Sequence, residues 1–222
     1  MKLLQEKTEI CRICFKEYQR HSYRTLTTRE SFLCDKCYSL LAPRFIQFEI
    51  SNTKGISIYE YDDFVKEKLY TFKGCYDYEL APIFIFDFAK MLKIKYGDYS
   101  IVPVPSYVLD DEKRGFNHVE EIFKCLSLPF IKVLEKTNPL KQSDQSAEER
   151  KDVIKRLKIV SGGLVKNKKI LLVDDVLTTG STLEACLELL STFKPKRIEI
   201  LVMSKVEFRK KKSSILEDVE QV

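Results

Sequence analysis

Apolar positions gather in five short runs, and the segments between them repeat at helical spacing. The runs are ISIYEY from Ile56, YSIVPV from Tyr99, PFIKVLE from Pro129, KILLVD from Lys169 and RIEILVM from Arg197. Short runs rich in β-branched and aromatic residues read as strands. Helices are expected over residues 62–72, 78–94, 117–126, 148–157 and 181–193. This alternation predicts an α/β fold, a mostly parallel sheet flanked by helices. Residues 1–50 follow another pattern: they are polar, have no long periodic segment and hold four cysteines. The expected organisation is a small N-terminal module at 1–50, an α/β domain at 51–205 and a charged C-terminal tail at 206–222. The basic run in that tail reads as a solvated face.

Composition narrows the class. A chain of 222 residues builds one full core, or one core and a small satellite. Hydrophobic residues make up 44% and charged residues 32%, which excludes a disordered chain. The net charge of +5 permits contact with nucleic acid without arguing for it. The most apolar stretch, APIFIFDFA, is broken by Asp87 and is shorter than the roughly 20 residues a membrane span needs. MKLLQEKTEI has no apolar signal core, so the expected location is cytoplasmic. In that setting clustered cysteines point to metal rather than to disulfides.

The cysteines have metal-ligand spacing. Cys11-Arg-Ile-Cys14 and Cys34-Asp-Lys-Cys37 are two CxxC knuckles with 19 residues between them. Each knuckle offers two thiolates to one side of an ion, and the pair closes a tetrahedral sphere suited to Zn2+. Four thiolates leave no open position, so the expected role is structural, with the metal supplying folding free energy to a segment poor in apolar residues. His21, between the knuckles, is the alternative ligand. Cys125 and Cys186 fall in helical patterns and read as small packing groups.

The densest chemistry lies in VDDVLTTGST, from Val173. An apolar run ends in two acids, and hydroxyls and a glycine then lead into the helical pattern STLEACLELL. A strand-to-helix turn of this kind exposes backbone N–H groups at the positive end of a helix, a ready anion site. Gly180 permits the tight bend. Two carboxylates beside a phosphate repel it unless they contact something else, and ribose hydroxyls or a magnesium ion meet that need. The reading is a ribose-phosphate site. No GK[ST] follows the glycine and no GxGxxG occurs, so it is neither a Walker loop nor a dinucleotide fingerprint.

ILLVDDVLTTGST resembles the signature of the phosphoribosyltransferase family, which implies that family's sheet and its ligand, phosphoribosyl pyrophosphate (PRPP), with Mg2+. The resemblance implies Asp174 and Asp175 as the candidate catalytic pair on the ribose hydroxyls. It implies Val176, Leu177, Thr178, Thr179, Gly180, Ser181 and Thr182 as the ribose-phosphate loop. The cysteine box, then VPVPS, then RGFNH, then this motif, resembles the ComF/ComFC-type competence proteins from Cys11 to about Ser204. That family is associated with uptake and processing of single-stranded DNA during natural transformation, beside a helicase-like partner.

Further residues extend the site. The prolines of VPVPS fix a rigid strand exit, and in such a fold Pro105 and Ser106 meet pyrophosphate. Arg114 suits bidentate pairing with phosphate, and Gly115 is expected to allow close backbone approach. Lys73 and Arg150 are further candidates for pyrophosphate or nucleic acid. His118 stands where the family more often carries Gln and reads as a helix-start residue. Residues 136–150 read as a loop over the site. In that loop Gln145 and Val153 beyond it depart from the family's pattern, and the acidic YVLDDEK before Arg114 departs from a usual basic run. No pocket for an acceptor base is recognisable, so whether the protein is an enzyme stays open. The alternatives are an active phosphoribosyltransferase of nucleotide salvage, a nucleotide-sensing regulator and a DNA-binding module with an electrostatic, aromatic groove.

Overall fold

The computed structural model describes residues 8–19, 31–136 and 157–207. Strands β1 (Thr8–Ile10) and β2 (Glu17–Gln19) form an antiparallel ribbon, followed by helix α1 (Asp35–Leu41). β3 (Ile46–Ile50) and β4 (Thr53–Glu60) form a hairpin that leads into α2 (Asp63–Gly74). Next come α3 (Ala81–Ile85), α4 (Ala89–Tyr96), β5 (Tyr99–Pro103), α5 (Val108–Arg114) and α6 (His118–Phe123). β6 (Leu134–Lys136) pairs with β7 (Leu157–Ile159), and β8 (Lys169–Leu177), α7 (Ser181–Ser191) and β9 (Arg197–Lys205) follow.

Among the described residues, one sheet has five strands in the order β3-β4-β9-β8-β5. The pairs β4–β9, β9–β8 and β8–β5 are parallel, and only the β3 edge is antiparallel. The chain thus has the expected α/β architecture. The central strands are apolar on both faces because helices cover both. Leu171, Val173, Leu201 and Met203 face α2, α3, α4 and α6. Ile170, Leu172, Ile200 and Val202 face α7 and the β6–β7 pair. Successive residues of β8 therefore alternate between two cores, and the strand's last residues emerge between them at its carboxyl end.

The N-terminal segment is built into the first of these cores. Cys11, Leu33, Cys37 and Leu41 share a buried cluster with Ile58, Phe72 and Phe84. Phe32 meets Phe86 edge-on at 4.7 Å, and Phe45 meets Phe88 at 5.0 Å. Arg12 stacks 4.1 Å over the Phe32 ring and pairs with the Glu79 carboxylate at 3.0 Å. The expected division after residue 50 falls at the hairpin turn, where Ser51 and Asn52 have φ of 48° and 60°. Positive φ at both central residues suits a tight hairpin turn, so β3 joins the sheet from the N-terminal side. Of the expected tail, only Val206 and Glu207 lie within the described residues.

Four expectations differ from the structure or fall outside it. The helix over 78–94 is broken into 3-10 turns at Tyr78–Leu80 and Phe86–Phe88 with α3 and α4 beside them. Pro82 starts α3, Ile85 leaves helical geometry at φ −126°, and the break turns Phe86 and Phe88 onto the N-terminal rings. The strand from Pro129 is confined to β6, and Phe130 makes a single bridge to Ile101 at the sheet edge. The helix over 148–157 lies outside the described residues except Leu157, which starts β7. Helix α5 arises where the sequence showed only an acidic stretch.

Candidate functional site

β8 delivers Asp174 and Asp175 to the carboxyl edge of the sheet, and residues 178–180 turn the chain into α7. Gly180 caps that helix at φ 86°, and a Cβ there would sit 3.2 Å from Ile50 Cδ1. The left-handed φ favours glycine, and a Cβ would crowd the tip of Ile50. The cap residue Gly180 has no side chain to offer the α7 N-terminus, and the Ser181 N–H reaches Thr179 Oγ1 only at 3.5 Å, so the first turn can still serve an anion. Asp174 and residues 176–183 enclose a cradle of about 30 Å³. Thr179 and Ser181 place their hydroxyls 3.1 Å apart beside it.

The two acids occupy opposite environments. Asp175 is buried, and its Oδ2 accepts from Lys73 Nζ at 2.6 Å and lies 3.3 Å from His118 Nε2. Its Oδ1 accepts from the Val176 N–H at 2.7 Å, and its carbonyl accepts from Ser204 Oγ at 3.3 Å. Burial alone raises its pKa, but the His118 hydrogen bond and the Lys73 charge outweigh burial and hold the carboxyl well below the usual range. For Asp174, burial and then the negative Asp175 push the pKa well above that range. Asp174 Oδ1 accepts from the Asp175 N–H at 2.9 Å. Asp174 lines the cradle and a second cavity, whereas Asp175 lines neither.

That second cavity has a volume of about 330 Å³ and joins the cradle at Asp174 and Thr182. It gathers Lys73, Pro105, Ser106 and Arg114, four residues singled out in the sequence, with Tyr107, His118 and Lys136. Lys136 Nζ sits 4.2 Å over the Tyr107 ring. Arg114 is no surface arginine: its side chain is 11% exposed and pairs with Asp111 Oδ1 at 2.9 Å. Its Nε donates to the Lys73 carbonyl at 3.2 Å. Asn117 caps α6 by accepting from the Glu120 N–H at 2.9 Å, and its Nδ2 donates to Ser106 Oγ and Asp111 Oδ2. Asp111 and Asn117 thus hold the Pro105–Ser106 exit against α5. Phe116 packs between Phe72 and Tyr78.

Gly115 ends α5 in the left-handed region at φ 83°, and no atom of the described residues lies within 4 Å of a Cβ built on it. One expectation is corrected here. His118 is more than a helix-start residue, because α6 turns it onto Asp175. Asp111 and Asn117 were also missed. Their signals were present: Asp111 stands three before Arg114, and Asn117 stands three before Glu120 ahead of an apolar run. Arg150 lies outside the described residues.

The second constellation is the cysteine cluster. The sulfurs of Cys11, Cys14, Cys34 and Cys37 all lie within 4.8 Å of one another. Cys14 and Cys34 sulfurs are 3.8 Å apart, which matches the edge of a tetrahedron with Zn–S of about 2.3 Å. The first knuckle turns through the Phe15 N–H on the Cys11 carbonyl, and the second opens α1 with the Tyr38 N–H on the Cys34 carbonyl. Burial raises the Cys11 pKa, but the backbone N–H groups of Cys14, Cys34 and Ile13 outweigh it and bring the thiol down to about 7. The donor set and its spacing fit a tetrahedral metal. His21 lies outside the described residues. No helix among the described residues is long and apolar enough to cross a membrane.

Sequence comparison with known proteins covers the two acids and the turn into α7. Residues 114–219 match the Phosphoribosyl transferase domain family. Over 129 residues the chain is 33% identical to competence protein ComFC of Bacillus subtilis (strain 168), a match covering 57% of this chain and 53% of that protein. Over 134 residues it is 31% identical to competence protein ComFC of Streptococcus pneumoniae (strain ATCC BAA-255 / R6), covering 60% of each. The chain thus matches little more than half the length of these curated relatives. A hypoxanthine phosphoribosyltransferase from Staphylococcus aureus aligns at 17% identity and a TM-score of 0.39 over 58% of this chain and 74% of that one. Phosphoribosylpyrophosphate synthetase from Mycobacterium smegmatis aligns at 18% and a TM-score of 0.33 over 53% and 31%. The sheet, the turn after Asp175 and the domain match define a phosphoribosyltransferase-like α/β protein. Its sequence similarity goes further, to the ComFC competence proteins, over 57% and 60% of this chain.

Proposed function

We propose that the protein binds PRPP, or a related ribose phosphate, with Mg2+, and that it serves competence by handling single-stranded DNA. One observation carries the reading: Asp174 lines both the cradle at a glycine-capped helix N-terminus and a cavity that holds Lys73, Arg114 and Lys136. The cradle takes the 5′-phosphate on the N–H groups of residues 179–182. The ribose hydroxyls lie along Asp174, and the pyrophosphate faces Lys73, Arg114 and the Pro105–Ser106 exit. Magnesium carried by the pyrophosphate supplies positive charge beside Asp174. Asp175 serves from below, through its fixed contacts. The four cysteines hold a structural Zn2+ in the module at residues 1–50. The competence-associated role follows from the ComFC relatives; single-stranded DNA is the macromolecular ligand, and a helicase-like protein is the partner. Binding is proposed here, not turnover.

The test is calorimetric titration of zinc-loaded protein with PRPP and Mg2+, beside an Asp174→Asn/Asp175→Asn variant. Saturable binding that the variant loses supports the reading. A wild type that binds nothing removes it. A parallel titration with single-stranded DNA should show affinity falling steeply with salt; no affinity at low salt would remove the DNA role.

A further inference from the structure

We propose that His118 is a positioning residue, a neutral imidazole protonated on Nε2 that latches Asp175 to Arg114 and so sets the carboxylate pair beneath the ligand. The argument is one of donors and acceptors. Arg114 Nη1 lies 3.1 Å from His118 Nδ1. A guanidinium only donates, so Nδ1 accepts and the ring carries its proton on Nε2. Nε2 lies 3.3 Å from Asp175 Oδ2. A carboxylate only accepts, so this neighbour independently selects the same tautomer. A ring protonated on both nitrogens would turn Nδ1–H against the arginine's own N–H. The imidazole is 12% exposed and the Asp175 side chain 9%, so water is a poor substitute partner.

The latch is fixed at both ends. Arg114 is held by Asp111 and by the Lys73 carbonyl. Lys73 also donates to the oxygen that faces His118. At the other end, the Asp175 N–H donates to Asp174 Oδ1, so a shift of Asp175 reaches the acid on the cavity wall. The effect on ligand binding rests on the ribose-phosphate reading; the tautomer does not. A glutamine amide offers one acceptor and one donor on a single carbon, as imidazole does across Cε1. His118→Gln can therefore keep both contacts, whereas His118→Leu fills the space and keeps neither.

The chain has two histidines, so a nitrogen-15 spectrum of the zinc-loaded protein assigns His118 by its absence in His118→Gln. The expected result at neutral pH is a protonated Nε2 and a bare Nδ1; a protonated Nδ1 overturns the proposal. Titration with PRPP and Mg2+ then reads the consequence. His118→Leu should bind about 10- to 100-fold more weakly, the range for losing a hydrogen bond to a charged group. His118→Gln should recover most of that loss. Equal affinity in His118→Leu and wild type, or no recovery in His118→Gln at comparable thermal stability, overturns it. Failure of the wild type to bind sinks the ribose-phosphate reading, while the spectrum still decides the tautomer.

Discussion

Asp174 and Asp175 are adjacent in sequence, yet their surroundings push their acidities apart, and each direction has a measurable sign. Asp175 is held below the usual carboxylate range in the fold. Its ion cluster therefore stabilises the protein above the unfolded aspartate pKa of about 3.9 and fades as pH falls below it. Asp175→Asn should cost about 2 kcal/mol near pH 7, less than a fully buried pair because Lys73 is 37% exposed. That cost should shrink in acid, as read by urea unfolding at pH 3 and pH 7. Asp174 is raised, so the fold favours its protonated form. Its contribution is present below about 3.9 and is lost as pH rises through its folded value. Asp174→Asn should then raise Tm by about 2–4 °C at pH 8, equivalent to about 1 kcal/mol, with little gain at pH 4. The same variant should lose PRPP binding, a trade of stability for function. An Asp174→Asn protein less stable than wild type at pH 8 would contradict this account.

At the scale of elements, the turn into α7 and the cap of α6 bear the most weight. Gly180→Ala forces a Cβ into left-handed geometry at about 1–2 kcal/mol and presses it on Ile50. Thermal unfolding should show that loss, and PRPP affinity should fall further because the cradle distorts. Asn117→Ala removes the cap of α6, worth about 1 kcal/mol, and also the Nδ2 donor to Ser106 and Asp111, which are left with each other and with Arg114. Its ligand affinity should drop even where stability is restored by osmolyte. β8 and α7 were legible in the sequence because an unbroken apolar run and a clean helical period say the same thing as the tertiary structure. The break in the helix expected over 78–94 was not, because Phe86 and Phe88 answer to rings more than 40 residues away in sequence. The site was half legible for a similar reason. Motif residues such as Asp174 announce themselves, whereas His118 acquires its role only when α6 packs against β8.

For the whole molecule, the shared core means that the cysteine cluster and the sheet should stand or fall together. Chelation of the metal, or Cys11→Ser, should lower Tm in one cooperative transition rather than release the N-terminal segment alone. Differential scanning calorimetry with a zinc-release dye checks this, and two separated transitions would contradict it. The pairing of Arg12 with Glu79 and the packing of Phe32 on Phe86 tie the knuckles to the turns on either side of α3, which follow the helix that carries Lys73. Metal occupancy should therefore also tighten PRPP binding. The β3–β4 hairpin adds one more consequence. Ile50, the last residue of β3, backs the bend at Gly180. A shortened chain that starts at residue 51 would keep Asp174 to Thr182 yet lose the wall behind the bend at Gly180. In the history of such a chain, the cysteine segment could not be exchanged freely at that joint, because whatever replaced it would have to bring its own equivalent of Ile50.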